Sequence, residues 1–354
     1  MSRYLSGKLS ALEPYVPGEQ PKNQKYIKLN TNESPFPPSE KAVSYAARAA
    51  ENLNLYSDPD NTELIEKVAG YYGLKPEQVI VTNGSDEVLN LAFIAFCDKQ
   101  RPAVFPDITY GFYPVFANVN CVPYEEIPLN RDFTLNVEDY MGLNKVIFLA
   151  NPNAPTTLKI SLDDIRRIAE SNPQGIVVID EAYVDFGNES AVTLVNDYSN
   201  LLVTQTFSKS RSLAGARLGM GFAGREIIED LNTVKFSTNP YNVNRMTAAA
   251  GIGAIEDDAY MKANCKTIIE NRAYTQKELR KLGFELPDSN TNFVFARHPS
   301  YTGEYIYTRL REKGILVRHF TKPAICDWNR ITIGTAYEME MLIKALKEIT
   351  EEQK

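Results

Sequence analysis

A lysine stands between two serines in QTFSKSRSLAGARLG, the stretch from Gln205 to Gly219, and Arg217 follows eight positions later. A primary amine at the end of an apolar strand can condense with a carbonyl to give a Schiff base, so Lys209 is a candidate covalent anchor. Ser208 and Arg217 offer a hydroxyl and a forked, charged donor beside it, groups that suit an anion. A polar surface loop is the plain alternative for this stretch alone. Asp180, the last residue of GIVVID, is the second candidate. A carboxylate after a run of apolar residues is costly to bury without a partner, and a metal, a helix N-terminus or a protonated ring nitrogen could supply one. Glu181 and Tyr183 follow it directly. Gly84, Ser85 and Asp86 form the third group, between QVIVTN and the helix-like SDEVLNLAFIAF. Free N–H groups and the helix dipole favour a phosphate there, although a simple cap explains the same residues.

These groups share a position. Each follows a short apolar run that reads as a strand, and helical spacing alternates with those runs: QVIVTN, AVFP, KVIFLA, GIVVID, LLVTQTF and LGMGFAG. Apolar strands alternating with helices predict a mostly parallel sheet covered on both faces. Ligands of such sheets sit beyond the carboxyl ends of the strands, where the three groups fall. SLDDIRRIAESN reads as an amphipathic helix with Ser161 as its cap. LNTNESPFPPS is a loop, because its prolines exclude helix. The first 40 or so residues read as an extended arm. After about Asn239 comes a long helical stretch, then TNFVFARH, YIYTRLREKGILVRHF and NRITIGTAYEMEMLIKALKEI, a strand–helix pattern suited to a smaller α+β domain. The expected division is 1–40 for the arm joining the small domain, 41–250 for the large domain and 251–354 for the small one.

Composition narrows the functions. The chain has 354 residues, 44% hydrophobic and 23% charged, with a formal charge of −7. Interspersed charges of this sign argue against a nucleic-acid surface. No run approaches the ~18 apolar residues of a membrane helix. Cys97, Cys121, Cys265 and Cys326 are scattered, and only His298 and His319 accompany them, so neither a zinc site nor a disulfide framework is expected. Reduced thiols fit a cytoplasmic location. GMGFAG matches a dinucleotide-binding glycine pattern, but SLAGARL before it is a poor strand and no acid lies near Asn244, about 20 residues on. No nucleotide-hydrolase loop is present.

Taken together, FSKSRSLAGARLG, IDEAYVDF, NPNAPT, NGSDE, PDITYGFYPVF and RITIGT resemble, in order and spacing, the fold-type I pyridoxal-phosphate aminotransferases. Within them the chain is most similar to the class II-like histidinol-phosphate aminotransferase family. The resemblance implies an α/β fold with a seven-stranded, mostly parallel sheet, pyridoxal 5′-phosphate as cofactor, and a homodimer with shared active sites. It implies that Lys209 carries the cofactor and moves the substrate proton, that Asp180 pairs with the ring nitrogen, and that Tyr183 bonds the ring oxygen. It implies further that Tyr110 stacks on the ring and that Ser85, Asp86, Ser208 and Arg217 hold the phosphate, with Tyr56 of the neighbouring subunit. Arg330 resembles the arginine that clamps a substrate carboxylate, and Tyr15 and Arg318 fall where the family contacts substrate. The reaction implied passes an amino group from L-histidinol phosphate to 2-oxoglutarate, a step of histidine biosynthesis. An aromatic amino-acid aminotransferase and a threonine-phosphate decarboxylase share the scaffold and stay open, as does a non-catalytic regulator that merely binds the cofactor.

The sequence departs from the family pattern in two places. NPNAPTT stands for N-P-N-N-P-T-G, so Ala154 replaces an asparagine that bonds the cofactor's ring oxygen, and Thr157 replaces a glycine. Asn153, one residue earlier, is the candidate substitute donor, with a side chain that only caps the turn as the alternative. KPAICDWNR also lacks a glycine often found before the arginine motif.

Overall fold

The computed structural model describes residues 3–9, 12, 18–20 and 25–351. The chain runs β1 (Ile27–Lys28), α1 (Glu40–Ala49), α2 (Thr62–Tyr72), β2 (Val79–Thr82), α3 (Ser85–Phe96), β3 (Ala103–Pro106), α4 (Tyr113–Val119) and β4 (Tyr124–Ile127). It continues through β5 (Val146–Ala150), α5 (Leu162–Ser171), β6 (Val177–Asp180), β7 (Leu201–Thr206), β8 (Gly219–Ala223), α6 (Arg225–Thr238), α7 (Arg245–Glu256) and α8 (Asp258–Lys281). The last elements are β9 (Phe293–Ala296), α9 (Gly303–Glu312), β10 (Ile315–Leu316), β11 (Arg318–His319), β12 (Asn329–Thr332) and α10 (Ala336–Glu351).

Seven strands form the main sheet in the order β2-β8-β7-β6-β5-β3-β4. All neighbours are parallel except β8, which runs antiparallel to both β2 and β7. The apolar runs follow from burial on both faces. In β6, Val177 and Ile179 join one apolar cluster with Ile165 and Ile168 of α5, while Val178 joins another with Phe93 of α3 and Phe148 of β5. Phe93 and Phe148 stack with ring centroids 4.2 Å apart. Edge strand β4, YEEI, is mostly exposed, and its two glutamates discourage pairing with another chain. Ser161 caps α5 as expected: its hydroxyl accepts from the Asp164 N–H, and Asp164 reaches back to it.

The glycine run at residues 219–224 lies in β8 and the turn before α6, in the middle of the sheet, which removes the dinucleotide-loop reading. The C-terminal residues form a smaller antiparallel sheet, β11-β12-β9, packed against α8, α9 and α10. Register places Arg318 directly opposite Arg330 on its neighbouring strand. The early strand β1 pairs in parallel with β10, so the N-terminal segment is tied to the C-terminal part of the chain. No helix among the described residues is long and apolar enough to cross a membrane.

The Phe93–Phe148 stack packs the middle of β5 against α3 in a fully buried cluster, so its loss should be costly. Phe148→Ala is expected to destabilise the protein by about 3–5 kcal/mol, the range for emptying a buried aromatic site. Chemical denaturation checks this, and a cost under about 1 kcal/mol would show that the neighbouring side chains collapse into the space.

Candidate active site

Strand ends meet at a cavity of about 270 Å³, lined among others by Ser85, Asp86, Tyr110, Asp180, Tyr183, Ser208, Lys209 and Arg217. Each wall has a local cause. β2 ends at Thr82, Gly84 adopts φ 81°, and α3 begins at Ser85 with no side-chain cap, which leaves its first N–H groups facing the cavity end. Gly219 of β8 lies against that turn. A Cβ there would stand 2.2 Å from the Ser85 nitrogen, so only glycine permits the approach. β7 delivers Ser208 and Lys209 in the turn that follows it, and Ser208 Oγ accepts from Thr206 Oγ1 at 3.0 Å.

Lys209 Nζ donates to the Thr31 carbonyl at 3.3 Å and lies 5.8 Å from the centre of the Tyr183 ring. Asp86 accepts from the Tyr110 hydroxyl at 2.7 Å and pairs with Arg217 at 3.2 Å. Arg217 reaches this position from a left-handed backbone, φ 55°. The carboxylate expected at the end of β6 is indeed buried, with Asp180 5% exposed. One of its oxygens accepts from the Tyr113 hydroxyl at 3.1 Å, and the other, Oδ1, has no hydrogen-bond partner. The Ala182 N–H adds a weak electrostatic pull outside hydrogen-bond geometry. Burial dominates and raises the Asp180 carboxyl to about 7, against the opposing bond from Tyr113. Glu181 is also raised to about 7 by burial, but Ser190, the Ala191 N–H and Gln205 occupy its oxygens and it does not line the cavity. The fold uses both oxygens of Glu181 and leaves Asp180, which lines the cavity, with one acceptor oxygen unbonded.

Beside this cavity lies a second of about 290 Å³, which shares Tyr110 and Ala154 with it and is lined by Arg318, Lys322 and Arg330. Arg330 donates to the Asn30 carbonyl at 3.1 Å. The two adjacent cavities thus bring together the start of α3 with Arg217, a lysine amine, a half-satisfied carboxylate and two further arginines.

Two expected residues, Asn153 and Tyr56, do not line either cavity. Asn153 is a correction: its amide donates to the Ile108 carbonyl and to Thr156 Oγ1, and its oxygen accepts from Thr109, at 2.7–2.9 Å. These bonds, two of them to the segment after β3, occupy both polar atoms of that side chain, and Pro152 and Ala154 line the cavity in its place. Tyr56 is 78% exposed and stacks on Tyr241, with ring centroids 4.5 Å apart. Tyr15 lies outside the described residues. Sequence reasoning also missed Tyr113 and Asn32. Tyr113 was legible only as one more aromatic in PDITYGFYPVF, and Asn32 as a loop polar residue, yet Asn32 donates to the Tyr183 hydroxyl at 3.0 Å. No group of three or more potential metal ligands occurs among the described residues.

Residues 24–346 match the family described as aminotransferase class I and II. A histidinol-phosphate aminotransferase of Clostridium botulinum is 46% identical over 350 residues, covering 99% of both chains. Histidinol-phosphate aminotransferase 1 of Bradyrhizobium diazoefficiens is 48% identical, covering 99% of this chain and all of its own. The solved histidinol-phosphate aminotransferase of Sinorhizobium meliloti in complex with pyridoxal 5′-phosphate shares the fold, with a TM-score of 0.91 at 23% identity over 100% of this chain and 99% of its own.

The raised Asp180 carboxyl has a consequence for the ligand-free protein. Its folded pKa lies above its unfolded value, so the folded state holds this proton more tightly. The stability that protonation contributes is present below about pH 4 and lost as pH rises through about 7. Asp180→Asn should therefore gain stability relative to the parent chain between pH 4 and pH 8, by about 1–3 kcal/mol. Parallel denaturation-versus-pH curves for the two chains would show that Asp180 does not titrate in this window.

Proposed function

The chain belongs to the class I and II aminotransferases, and we propose that it passes an amino group from L-histidinol phosphate to 2-oxoglutarate with pyridoxal 5′-phosphate at Lys209. The observation that carries the substrate is near-half identity, over the whole length, to relatives named for that activity. The residues suit the cofactor. The orphaned Asp180 Oδ1 is an acceptor for a ring N–H, and the Gly84–Gly219 approach leaves room and N–H groups for a phosphate.

When bound, pyridoxal phosphate supplies a carbonyl for amine exchange and a ring that draws electrons from the adjacent carbon. Everything else falls to the protein. Lys209 Nζ would hold the cofactor through its carbonyl carbon and serve as the general base and acid that moves the substrate α-proton. Asp180 Oδ1 keeps the ring nitrogen protonated; a buried, charged carboxylate is stabilised by such a partner, which offsets its desolvation. Tyr113 fixes the other oxygen and so the plane of the carboxyl group. The Ser85 N–H, Ser208 and Arg217 bind the phosphate, with Asp86 orienting Arg217. Tyr110 covers the ring, its hydroxyl tethered to Asp86. Arg318 and Arg330, side by side on β11 and β12, meet the anionic end of either substrate, phosphate in one half-reaction and carboxylate in the other.

The same reading includes a homodimer with shared sites. Tyr56 does not line its own chain's cavity, and it and its sequence neighbours Leu53 and Leu55 are exposed apolar side chains suited to burial against a second copy. Four free cysteines among the described residues suit a cytoplasmic setting.

Single half-reactions separate the substrates. Purified enzyme mixed with histidinol phosphate should convert its cofactor to the amine form far faster than with phenylalanine, tyrosine or threonine phosphate, as read from the visible absorbance. A faster reaction with phenylalanine, or carbon dioxide release from threonine phosphate, would reassign it. Lys209→Ala should lose the visible band of the lysine-bound cofactor and all turnover.

Shared sites predict complementation. Mixed dimers of Tyr56→Phe and Lys209→Ala chains carry both lesions in one site and neither in the other, and should be more active than either parent dimer. Confirmed subunit exchange without recovery would place Tyr56 outside the partner's site.

A further inference from the structure

The cavity wall formed by residues 150–154 presents Ala150, Pro152 and Ala154, none of which has a side-chain donor. Asn151 and Asn153 are already engaged elsewhere: Asn151 exchanges hydrogen bonds with Ile160, and Asn153 bonds Thr156 in its own loop and Ile108 and Thr109 in the segment after β3. Tyr183 is therefore the side chain left on this side to donate to a ligand's ring oxygen, and the direction of its one O–H proton becomes decisive.

Asn32 governs that direction. It is 1% exposed and adopts φ 56°, a left-handed conformation that asparagine tolerates better than most residues. Its backbone N–H donates to Thr332 Oγ1, and the Thr332 hydroxyl donates back to Asn32 Oδ1, both at 3.0 Å. The threonine has a single proton and spends it on Oδ1, which fixes which end of the amide is oxygen. Nδ2 is thereby turned to Tyr183 Oη, 3.0 Å away. The Asn32 carbonyl accepts from Asn292 Nδ2 at 3.0 Å, so every polar group of the residue is held. With Oη accepting from Asn32, and no other hydrogen bond to it among the described residues, the tyrosine's proton is left for the cavity.

We propose that Asn32 is a positioning residue that, through its amide bond to Tyr183 Oη, reserves the tyrosine's proton for the cofactor's ring oxygen. The proposal rests on the reading of Tyr183 as the ring-oxygen contact and adds the residue that aims it. It also links the cofactor's electronics to the small sheet, because Thr332 belongs to β12, the strand that carries Arg330. The preceding residue, Thr31, accepts from Lys209, so one short turn touches both the amine and the phenol.

A donor to the ring oxygen stabilises that oxygen's negative charge and lowers the pKa of the Lys209–cofactor linkage. The test is a pH titration of the visible absorption of holoenzyme in four chains: the parent, Asn32→Gly, Tyr183→Phe and the double variant. Glycine keeps the left-handed backbone and removes the donor without adding charge. Asn32→Gly should raise the midpoint by roughly 0.5–1 pH unit, about three- to tenfold in proton affinity, and the double variant should titrate as Tyr183→Phe does. A parental midpoint in Asn32→Gly, or a full additional shift on top of Tyr183→Phe, overturns the proposal. An unmoved midpoint in Tyr183→Phe overturns the reading of Tyr183 itself. Should Asn32→Gly fail to hold cofactor, Asn32→Asp, which keeps the acceptor for Thr332 and draws the Tyr183 proton to its second oxygen, must raise the midpoint in the parent chain more than in Tyr183→Phe.

Discussion

A half-satisfied carboxylate at the end of β6 is the feature around which the rest of the site is arranged. Burying Asp180 raises its proton affinity, and the bond from Tyr113 opposes that rise without removing it. A structural carboxylate would be treated as Glu181 is, with donors on both oxygens. The two acids are adjacent in sequence and point to different neighbours because they sit at the end of a strand, where successive side chains alternate between faces. One face has a serine, a backbone amide and a glutamine ready. The other faces the cavity, where one oxygen of Asp180 has no hydrogen-bond partner.

Much of this was legible in the sequence because it depends on strand ends. Apolar runs announced β2, β6 and β7, and parallel strands gather their carboxyl-end residues at one edge, so Gly84, Asp180 and Lys209 had to converge. Asn153 was misassigned for a reason of the same kind in reverse. Which side chain of a proline-rich loop faces a cavity is set by its hydrogen bonds, and two of the three partners that capture Asn153, the Ile108 carbonyl and Thr109, come from a segment about 45 residues away and carry no sequence signal. Tyr113 and Asn32 escaped notice because each acts across a long sequence separation, through 67 residues to Asp180 and 151 to Tyr183.

The antiparallel strand β8 shows how packing and chemistry share one cause. Its insertion between β2 and β7 brings Gly219 against the turn that opens α3, and the absent side chain lets two backbones touch. The same insertion carries Arg217, two residues before the strand, to the mouth of that turn. A pattern that resembled a nucleotide loop is thus a close-packing requirement, and its effect on anion binding comes from the α3 amides it leaves accessible.

Charge balance explains why the anion cup tolerates an acid. Asp86 sits beside Arg217, and both side chains are substantially exposed, 35% and 47%. Pairs of that exposure contribute about 0–1 kcal/mol, so the contact aims Arg217 without committing it. A phosphate dianion brings more charge and can accept from the α3 N–H groups as well as from the guanidinium, so it competes with Asp86 at little cost. Asp86 keeps its second oxygen on the Tyr110 hydroxyl, 2.7 Å away. The carboxylate therefore couples Arg217 to Tyr110 at the cavity wall, and a shift of one is felt by the other.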